Sequence, residues 1–246
     1  MPLDRSALKS RAREVIMTSN PRVITVGLVY LAISLVLSVL GSRVLSVNIS
    51  ESELMNYLRY AAEGNVDYAL KYAESMQPPL TAYAINFMLT LILSVVEAGF
   101  ILFLLNTVRN RQPCFGNLLD GFGFWLRIIL LRLLETLLVA LWSLLFIVPG
   151  VIAHYRYSQA IYILLDDPTK SPRQCLRESA AMMDGHKAEL FSLDLSLIGW
   201  YLLAALPYVG YLAEIWTIPY VAMVKALYYE GLLGSNVWRY TPDYPI

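Results

Sequence analysis

The hydrophobic pattern divides the chain into six apolar runs separated by charged connections. The first run, from Val23 to Leu40, has 18 residues and no charged side chain, and a helix needs about 20 apolar residues to cross a bilayer. Each of the other five runs holds between one and three ionisable residues. They extend over residues 83–105, 124–148, 151–165, 190–206 and 216–233. The pattern predicts an all-α protein, a polytopic transmembrane helical bundle of about six spans.

Proline and glycine mark the expected ends and interruptions of these helices. Pro149-Gly150 separates the third and fourth runs, and it predicts a tight helical hairpin because proline removes a backbone hydrogen bond from a helix. The fourth run has only 15 residues, so a re-entrant segment is an alternative to a full crossing. Further interruptions are expected at Gly99, at Gly199 and over residues 207–219.

The distribution of Lys and Arg predicts the orientation, because cytoplasmic loops carry an excess of both. Three segments on one side are basic, whereas the turn at residues 149–150 and the connection over 207–215 contain neither residue. The basic segments contain Arg5, Lys9, Arg11, Arg13 and Arg22, then Arg109 and Arg111, and then Lys170, Arg173, Arg177 and Lys187. A single multi-pass membrane domain with both termini in the cytoplasm follows.

Two segments are predicted to be amphipathic helices on the cytoplasmic face, within residues 1–22 and 169–189. In the first, Leu8, Ala12, Val15 and Ile16 fall on one side at helical spacing. The second begins at Ser171-Pro172, which suits a helix start, and has Leu176, Ala180 and Met183 on its apolar side. Such helices bind lipid headgroups in some proteins, but bracing of the bundle is the favoured interpretation.

The long connection over residues 48–82 is predicted to be an extracytoplasmic helical loop. Apolar residues recur at spacings of three to four on both sides of a break near Gly64-Asn65. They are Leu54, Leu58 and Ala61, and then Val66, Leu70 and Ala73. The loop is interpreted as an insertion packed over the bundle, with a lid or a partner-binding surface as the alternative.

Composition agrees with a membrane protein and excludes one class of partner. Hydrophobic residues make up 57% of the 246 residues and charged residues 15%, against about a quarter charged in soluble domains. The formal net charge of zero argues against nucleic acid, whose phosphates require a basic excess. Cys114 and Cys175 would both face a reducing compartment, so no disulfide is expected. The first 22 residues lack the pattern of a signal peptide.

Ionisable residues inside the predicted spans form the candidate site, because charge in a membrane is costly. At a rise of about 1.5 Å per residue, Glu97, Arg132 and Lys225 lie at similar depths, and Glu135 follows one turn after Arg132. Such a layer serves either as an ion, proton or solute path or as paired charges that fix helix packing. Equal numbers of acids and bases favour pairing. The candidate binding residues are Glu97, Arg132, Glu135, Lys225, Arg156 and Asp194.

No motif predicts catalysis, a metal or a cofactor. His154 has no second ligand at a suitable spacing, and Asp166-Asp167-Pro168 is interpreted as a helix end and turn. The sequence contains no Gly-rich phosphate loop, no Gly-x-Ser-x-Gly turn and no His-Glu-x-x-His. We therefore expect a protein that is not an enzyme.

Several motifs resemble the uncharacterised bacterial membrane family DUF975, and together they extend over the chain except the long loop. They are the stretches at residues 106–109 (NTVR), 115–122 (FGNLLDGF), 147–152 (IVPGVI), 155–158 (YRYS), 163–168 (ILLDDP) and 185–200 (GHK to IGW). The resemblance implies an integral membrane protein common in Gram-positive bacteria. It also implies a distant similarity to the membrane domain attached to some glycerophosphodiester phosphodiesterases. The family has no established activity, so it assigns no functional residues.

Two functions are compatible with these patterns. The leading hypothesis is a non-catalytic protein of the bacterial plasma membrane with an accessory, lipid-organising or envelope-stress role. The alternative is a small-solute or ion transporter that uses the intramembrane charges. Membrane lipids and a membrane protein are the expected partners, and the sequence leaves the oligomeric state open.

Overall fold

A computed structural model describes residues 4–47, 49–207 and 209–234, and in these ranges the protein is helical without any strand. The described part contains twelve α-helices and one 3-10 turn over Gly121–Phe124. The first six helices are α1 (Arg5–Thr18), α2 (Val23–Leu45), α3 (Glu51–Ala62), α4 (Val66–Ser75), α5 (Leu80–Val108) and α6 (Asn117–Asp120). The others are α7 (Trp125–Leu145), α8 (Ile147–Tyr157), α9 (Ala160–Asp166), α10 (Pro172–Met182), α11 (Lys187–Ala204) and α12 (Val209–Gly234).

Within the described residues, three helical stretches are long and apolar enough to cross a membrane. They are Val23–Leu45, Leu80–Val108 and Asn117–Leu145, the last of which includes α6, the 3-10 turn and α7. The predicted all-α class is therefore confirmed, together with three helices of a length and composition suited to a membrane. The sixfold crossing and the side on which each terminus lies stay predictions.

The described chain divides into two compact units. Residues 33–93 form one unit and residues before and after them form the other. The first of these units contains an antiparallel hairpin of α3 and α4, which meet through stacked rings. Tyr60 lies 5.2 Å from Tyr68 and 5.8 Å from Tyr72 between ring centroids. Gly64 makes the turn with a φ of +72°, where glycine has no Cβ penalty.

The larger unit holds the main core, in which α1 packs along α12. The predicted apolar side of α1 faces this core, since Ala12 and Ile16 are buried completely and Leu8 and Val15 partly. Lys9 Nζ also donates to the carbonyl oxygen of Ser196 in α11, at 3.0 Å. The apolar side of α1 therefore contacts protein, in agreement with the favoured interpretation that this helix braces the bundle.

Gly99 does not interrupt its helix, contrary to the prediction, and neither does Gly199. Both α5 and α11 continue through these residues. A Cβ built on Gly99 would lie 2.6 Å from the carbonyl carbon of Leu118 and 2.8 Å from the Asn117 oxygen. Gly99 is therefore required for the close approach of α6 to α5. The interruption expected over residues 207–219 is confined to the break between α11, which ends at Ala204, and α12, which begins at Val209; α12 continues through Pro219, contrary to the prediction.

The turn between the third and fourth apolar runs lies at Phe146, three residues earlier than the predicted Pro149-Gly150 turn. Phe146 is extended, with φ −162° and ψ 155°, and α8 begins at Ile147. Pro149 is thereby in the first turn of α8, where its missing N–H has no helical acceptor to lose. Gly150 lets α8 approach α7, since a Cβ there would lie 2.9 Å from Ser143 Cα.

The fourth apolar run is not one helix but two, because the backbone breaks between α8 and α9. Ser179 of α10 replaces the missing helical partners at this break. Its hydroxyl accepts from the Gln159 backbone N–H at 3.1 Å and donates to the Arg156 carbonyl oxygen at 2.9 Å. The predicted start of α10 is confirmed, because the Ser171 side chain accepts from the Gln174 backbone N–H and Pro172 is the first helical residue.

Candidate functional site

Three of the predicted site residues form an ion triad within the apolar helices. Arg132 of α7 contacts Glu97 of α5 at 3.2 Å and Glu135, one turn along α7, at 3.3 Å. The side chains of Arg132 and Glu135 are 25% and 13% exposed, whereas that of Glu97 is 43% exposed. With all three ionised the triad carries one net negative charge, and Glu97 is its most accessible member.

Lys225 does not join this triad but pairs with Asp194. Lys225 Nζ in α12 lies 3.4 Å from Asp194 Oδ1 in α11. The other carboxylate oxygen of Asp194 accepts a hydrogen bond of 3.2 Å from the Tyr155 hydroxyl of α8. The predicted layer of four charges is thus divided into two separate sets, and Asp194 connects three helices instead of standing alone near an interface.

Arg156, the last candidate, lies outside both sets. Its side chain belongs to an exposed residue of α8, and the guanidinium carbon lies 5.7 Å from the ring centroid of the adjacent Tyr157. Arg156 was predicted as a candidate together with the other charges because it also lies in an apolar run. The structure gives it a position on the surface of the described bundle.

A second charged cluster, which was not predicted from the sequence, joins the ends of α5, α9 and α12. The guanidinium of Arg109 donates two hydrogen bonds to the Asp166 carboxylate, one of them at 3.0 Å from Nη2 to Oδ2. Its Nε donates to Glu230 Oε1 at 2.6 Å. The Tyr229 hydroxyl also donates to Asp166 Oδ2, at 2.7 Å. We call these four residues the Arg109 cluster.

The two carboxylates of the Arg109 cluster stabilise the positive charge of Arg109. The hydrogen bonds to Asp166, opposed by partial burial and supported by Glu230, raise the pKa of Arg109 above its usual range. The side chains of Arg109, Asp166 and Glu230 are only 17–24% exposed. A planar guanidinium suits this arrangement, because it can bind one carboxylate with two nitrogens and another with a third.

The predicted helix end and turn at Asp166-Asp167-Pro168 is confirmed, since α9 ends at Asp166 and Asp167 is its C-cap. Asp167 accepts from the Thr169 backbone N–H at 3.0 Å, and the Thr169 hydrogen bonds hold the pKa of Asp167 below its usual range. Asp166 instead binds Arg109. The sequence contained one signal for the Arg109 cluster, because Arg109, Asp166 and Glu230 all lie near the predicted cytoplasmic ends of their apolar runs. Spacing alone does not identify which of these helix ends meet.

A cavity of about 360 Å³ lies between α7 and α8. Its lining consists of Val139, Ser143, Ile147, Gly150, Val151, His154 and Tyr155. None of Glu97, Arg132, Glu135 and Lys225 lines it. Among the residues described, no group of three or more His, Cys, Asp or Glu side chains is placed to hold a metal ion.

The fold and these clusters define an all-helical protein with three helices long and apolar enough to cross a membrane, in which five of the six predicted site charges pair with one another. Residues 144–236 match the family model DUF975, described as a protein of unknown function. The resemblance is therefore confirmed over α8 to α12, while the similar motifs within residues 106–122 precede the matched segment. No curated protein and no solved structure matches the chain.

Proposed function

We propose that this protein is a multi-pass membrane component without catalytic activity, which serves an accessory, lipid-organising or envelope-stress role. In this proposal α2, α5 and α7 cross the bilayer, α8 with α9 returns, and α11 and α12 complete six crossings. Both termini then lie in the cytoplasm of a bacterium, and the protein acts by holding lipid or another membrane protein.

The observation that carries the proposal is the pairing of the internal charges. Arg132 lies between Glu97 and Glu135, and Lys225 contacts Asp194. Opposite charges at 3.2–3.4 Å offset much of the cost of removing each one from water. The α7–α8 cavity has none of these residues in its lining. Charges used in this way support helix packing more than a path for solute.

The outer face of α1 supports a role at the lipid surface. Its apolar side packs on the core, which leaves Arg5, Arg11 and Arg13 exposed. Four bases against the two acids Asp4 and Glu14 leave residues 4–14 with a net positive charge. Anionic headgroups are attracted to such a basic face by about 1 kcal/mol per Lys or Arg near the surface.

One observation favours the alternative of a small-solute or ion transporter. Glu97 is 43% exposed in the described chain, and its triad has one carboxylate more than it has cations. A carboxylate that is reached by water and not fully neutralised is the type of group that binds a cation or relays a proton within a membrane. This alternative requires water to reach Glu97.

Cysteine labelling in proteoliposomes tests both readings. In a variant with Cys114 and Cys175 replaced, we would place a single cysteine at Glu97, with Leu137 of α7, exposed and apolar, as the matched control. A membrane-impermeant thiosulfonate is added, and an unchanged unfolding temperature shows that each variant is folded. The accessory proposal expects both cysteines to remain unlabelled. Labelling at residue 97 alone contradicts it and supports transport.

Topology is tested with the same reagent in intact cells. Single cysteines replace Ser52 in α3 and Arg111 after α5, both in exposed positions. The proposed orientation expects labelling at residue 52 from outside and labelling at residue 111 only after the cells are permeabilised. The reverse pattern would overturn the orientation.

A further inference from the structure

The α3–α4 hairpin is assembled with its apolar side turned away from its own interface. The two helices meet through Tyr60, Tyr68 and Tyr72, and Ala69 is 9% exposed. By contrast, large aliphatic side chains on both helices are exposed to about half of their area or more. They are Leu54 at 44%, Leu58 at 51%, Val66 at 64% and Leu70 at 58%.

Helix geometry places these aliphatic residues on one side of the hairpin. At about 100° per residue, Leu54 and Leu58 lie between a quarter and a half turn around α3 from the direction of Tyr60. Val66 and Leu70 lie about a third to a half of a turn around α4 from the direction of Tyr68 and Tyr72, in the same sense of rotation. Because the helices are antiparallel, equal rotations lead to the same side. This side, with Ala61 and Ala73, is the apolar side of the hairpin.

The connections to α2 and α5 determine what this side can meet. Five residues (46–50) join α2 to α3, and four (76–79) join α4 to α5. At no more than about 3.6 Å per residue, these connections reach roughly 20 Å. Both flanking helices are candidate spans. The hairpin is therefore held at the level where α2 leaves the bilayer and α5 enters it.

The exposed junctions agree with a lipid surface. Ile49 in the first connection is 48% exposed and Leu80, the first residue of α5, is 84% exposed, so an apolar side chain without protein cover lies at each junction. Glu53 of α3 and Glu63, which follows α3, lie off the apolar side, and Arg59 lies over the Tyr60 ring at 4.9 Å. Glu51, Asp67 and Glu74 lie at the edges of the apolar side. An element with one apolar side and one charged side, tethered at a membrane surface, lies with the apolar side in the headgroup region.

We infer that the α3–α4 hairpin is a membrane-surface element whose apolar side, centred on Leu54, Leu58, Val66 and Leu70, inserts into the leaflet next to the ends of α2 and α5. The occupant of this side is phospholipid. The inference rests on the proposed crossing of the bilayer by α2 and α5. It gives that function a defined lipid-contacting surface.

Spin labels on the full chain in nanodiscs of phosphatidylglycerol and phosphatidylethanolamine test the inference. Single cysteines carry the nitroxide at Leu58 on the apolar side, at Ser52 on the polar side of α3 and at Val36 of α2. Power saturation then measures access of oxygen, which concentrates in lipid, and of a nickel chelate, which stays in water. We expect the label at residue 58 to favour oxygen, the label at 52 to favour nickel by at least tenfold relative to 58, and the label at 36 to favour oxygen.

The three labels separate the possible failures. Nickel access at both 58 and 52, with oxygen access at 36, means that the hairpin stands in water and overturns the inference alone. Low access of both reagents at 58 means that protein covers the site, and dipolar broadening that disappears on dilution with unlabelled chain identifies a second copy. Nickel access at 36 overturns the proposed crossing by α2, and the inference with it.

Discussion

Replacing Gly99 by alanine tests the close approach of α6 to α5, and Gly199 provides a matched control. Both glycines lie inside long helices. A Cβ at Gly99 meets backbone atoms of Leu118 and Asn117, at 2.6 and 2.8 Å. A Cβ at Gly199 has no heavy atom within 4 Å. The same substitution therefore adds a methyl group to a filled site in one variant and to open space in the other.

The magnitude follows from two opposing effects. Alanine is more favourable than glycine in a helix by about 1 kcal/mol, which applies to both variants. Inserting a group into a packed site costs about 1–3 kcal/mol, and the upper value applies at Gly99 because the atoms in the way belong to backbone. The net expectation is a destabilisation of about 2 kcal/mol for Gly99→Ala, and a stabilisation of up to about 1 kcal/mol for Gly199→Ala.

Thermal unfolding in detergent, followed by the fluorescence of the five tryptophans, measures the difference. For a chain of this size 1 kcal/mol corresponds to about 2–4 °C in Tm. We expect Gly99→Ala to unfold about 4–8 °C below the parent protein and Gly199→Ala at or slightly above it. Equal shifts in the two variants would refute the close approach of α6 to α5 as the reason for Gly99.

Two further predictions concern residues outside the apolar helices. Arg109→Ala should lower the free energy of unfolding by about 1–2 kcal/mol, a value discounted because the paired side chains stay 17–24% exposed. As a control, replacing the exposed Arg111 by alanine should change the free energy of unfolding by less than about 0.5 kcal/mol. Similar losses for the two variants in denaturant titrations would contradict the Arg109 cluster. Burial raises the pKa of the Cys175 thiol to about 11, so with iodoacetamide at pH 8 the exposed Cys114 should react and Cys175 should not. Alkylation of Cys175 should increase as the pH rises towards 11, and mass spectrometry that finds both thiols equally alkylated at pH 8 would refute its burial.

Helix boundaries show how far local chemistry carries a prediction. Ser171 supplies a capping hydroxyl and the adjacent Pro172 supplies a fixed φ, so the start of α10 could be predicted from the sequence. Proline at residue 149 carried an ambiguous signal, because the same residue suits a turn and the first turn of a helix. The close packing of α8 on α7 at Ser143 and Gly150 accompanies a turn at Phe146, and this contact is tertiary.

The candidate charges show the corresponding limit. Glu135 follows Arg132 by three residues on one helix, and their pairing could be predicted because helix geometry fixes it. Lys225 was expected at the level of Glu97 from depth along the predicted spans, but it contacts Asp194 instead. Depth along a helix does not specify which neighbour a side chain faces.

The sequence by itself determined the class of protein, since the free energy of burying apolar runs depends on composition and length. It also determined the amphipathic face of α1 and the helical segments on both sides of Gly64, because both depend on a period of 3.6 residues. Only the tertiary structure decided that Gly99 is a contact instead of an interruption, and that Arg109 joins Asp166 and Glu230 across 57 and 121 residues of chain. These contacts depend on which helix surfaces meet, and that choice is made by the packing of all the helices together.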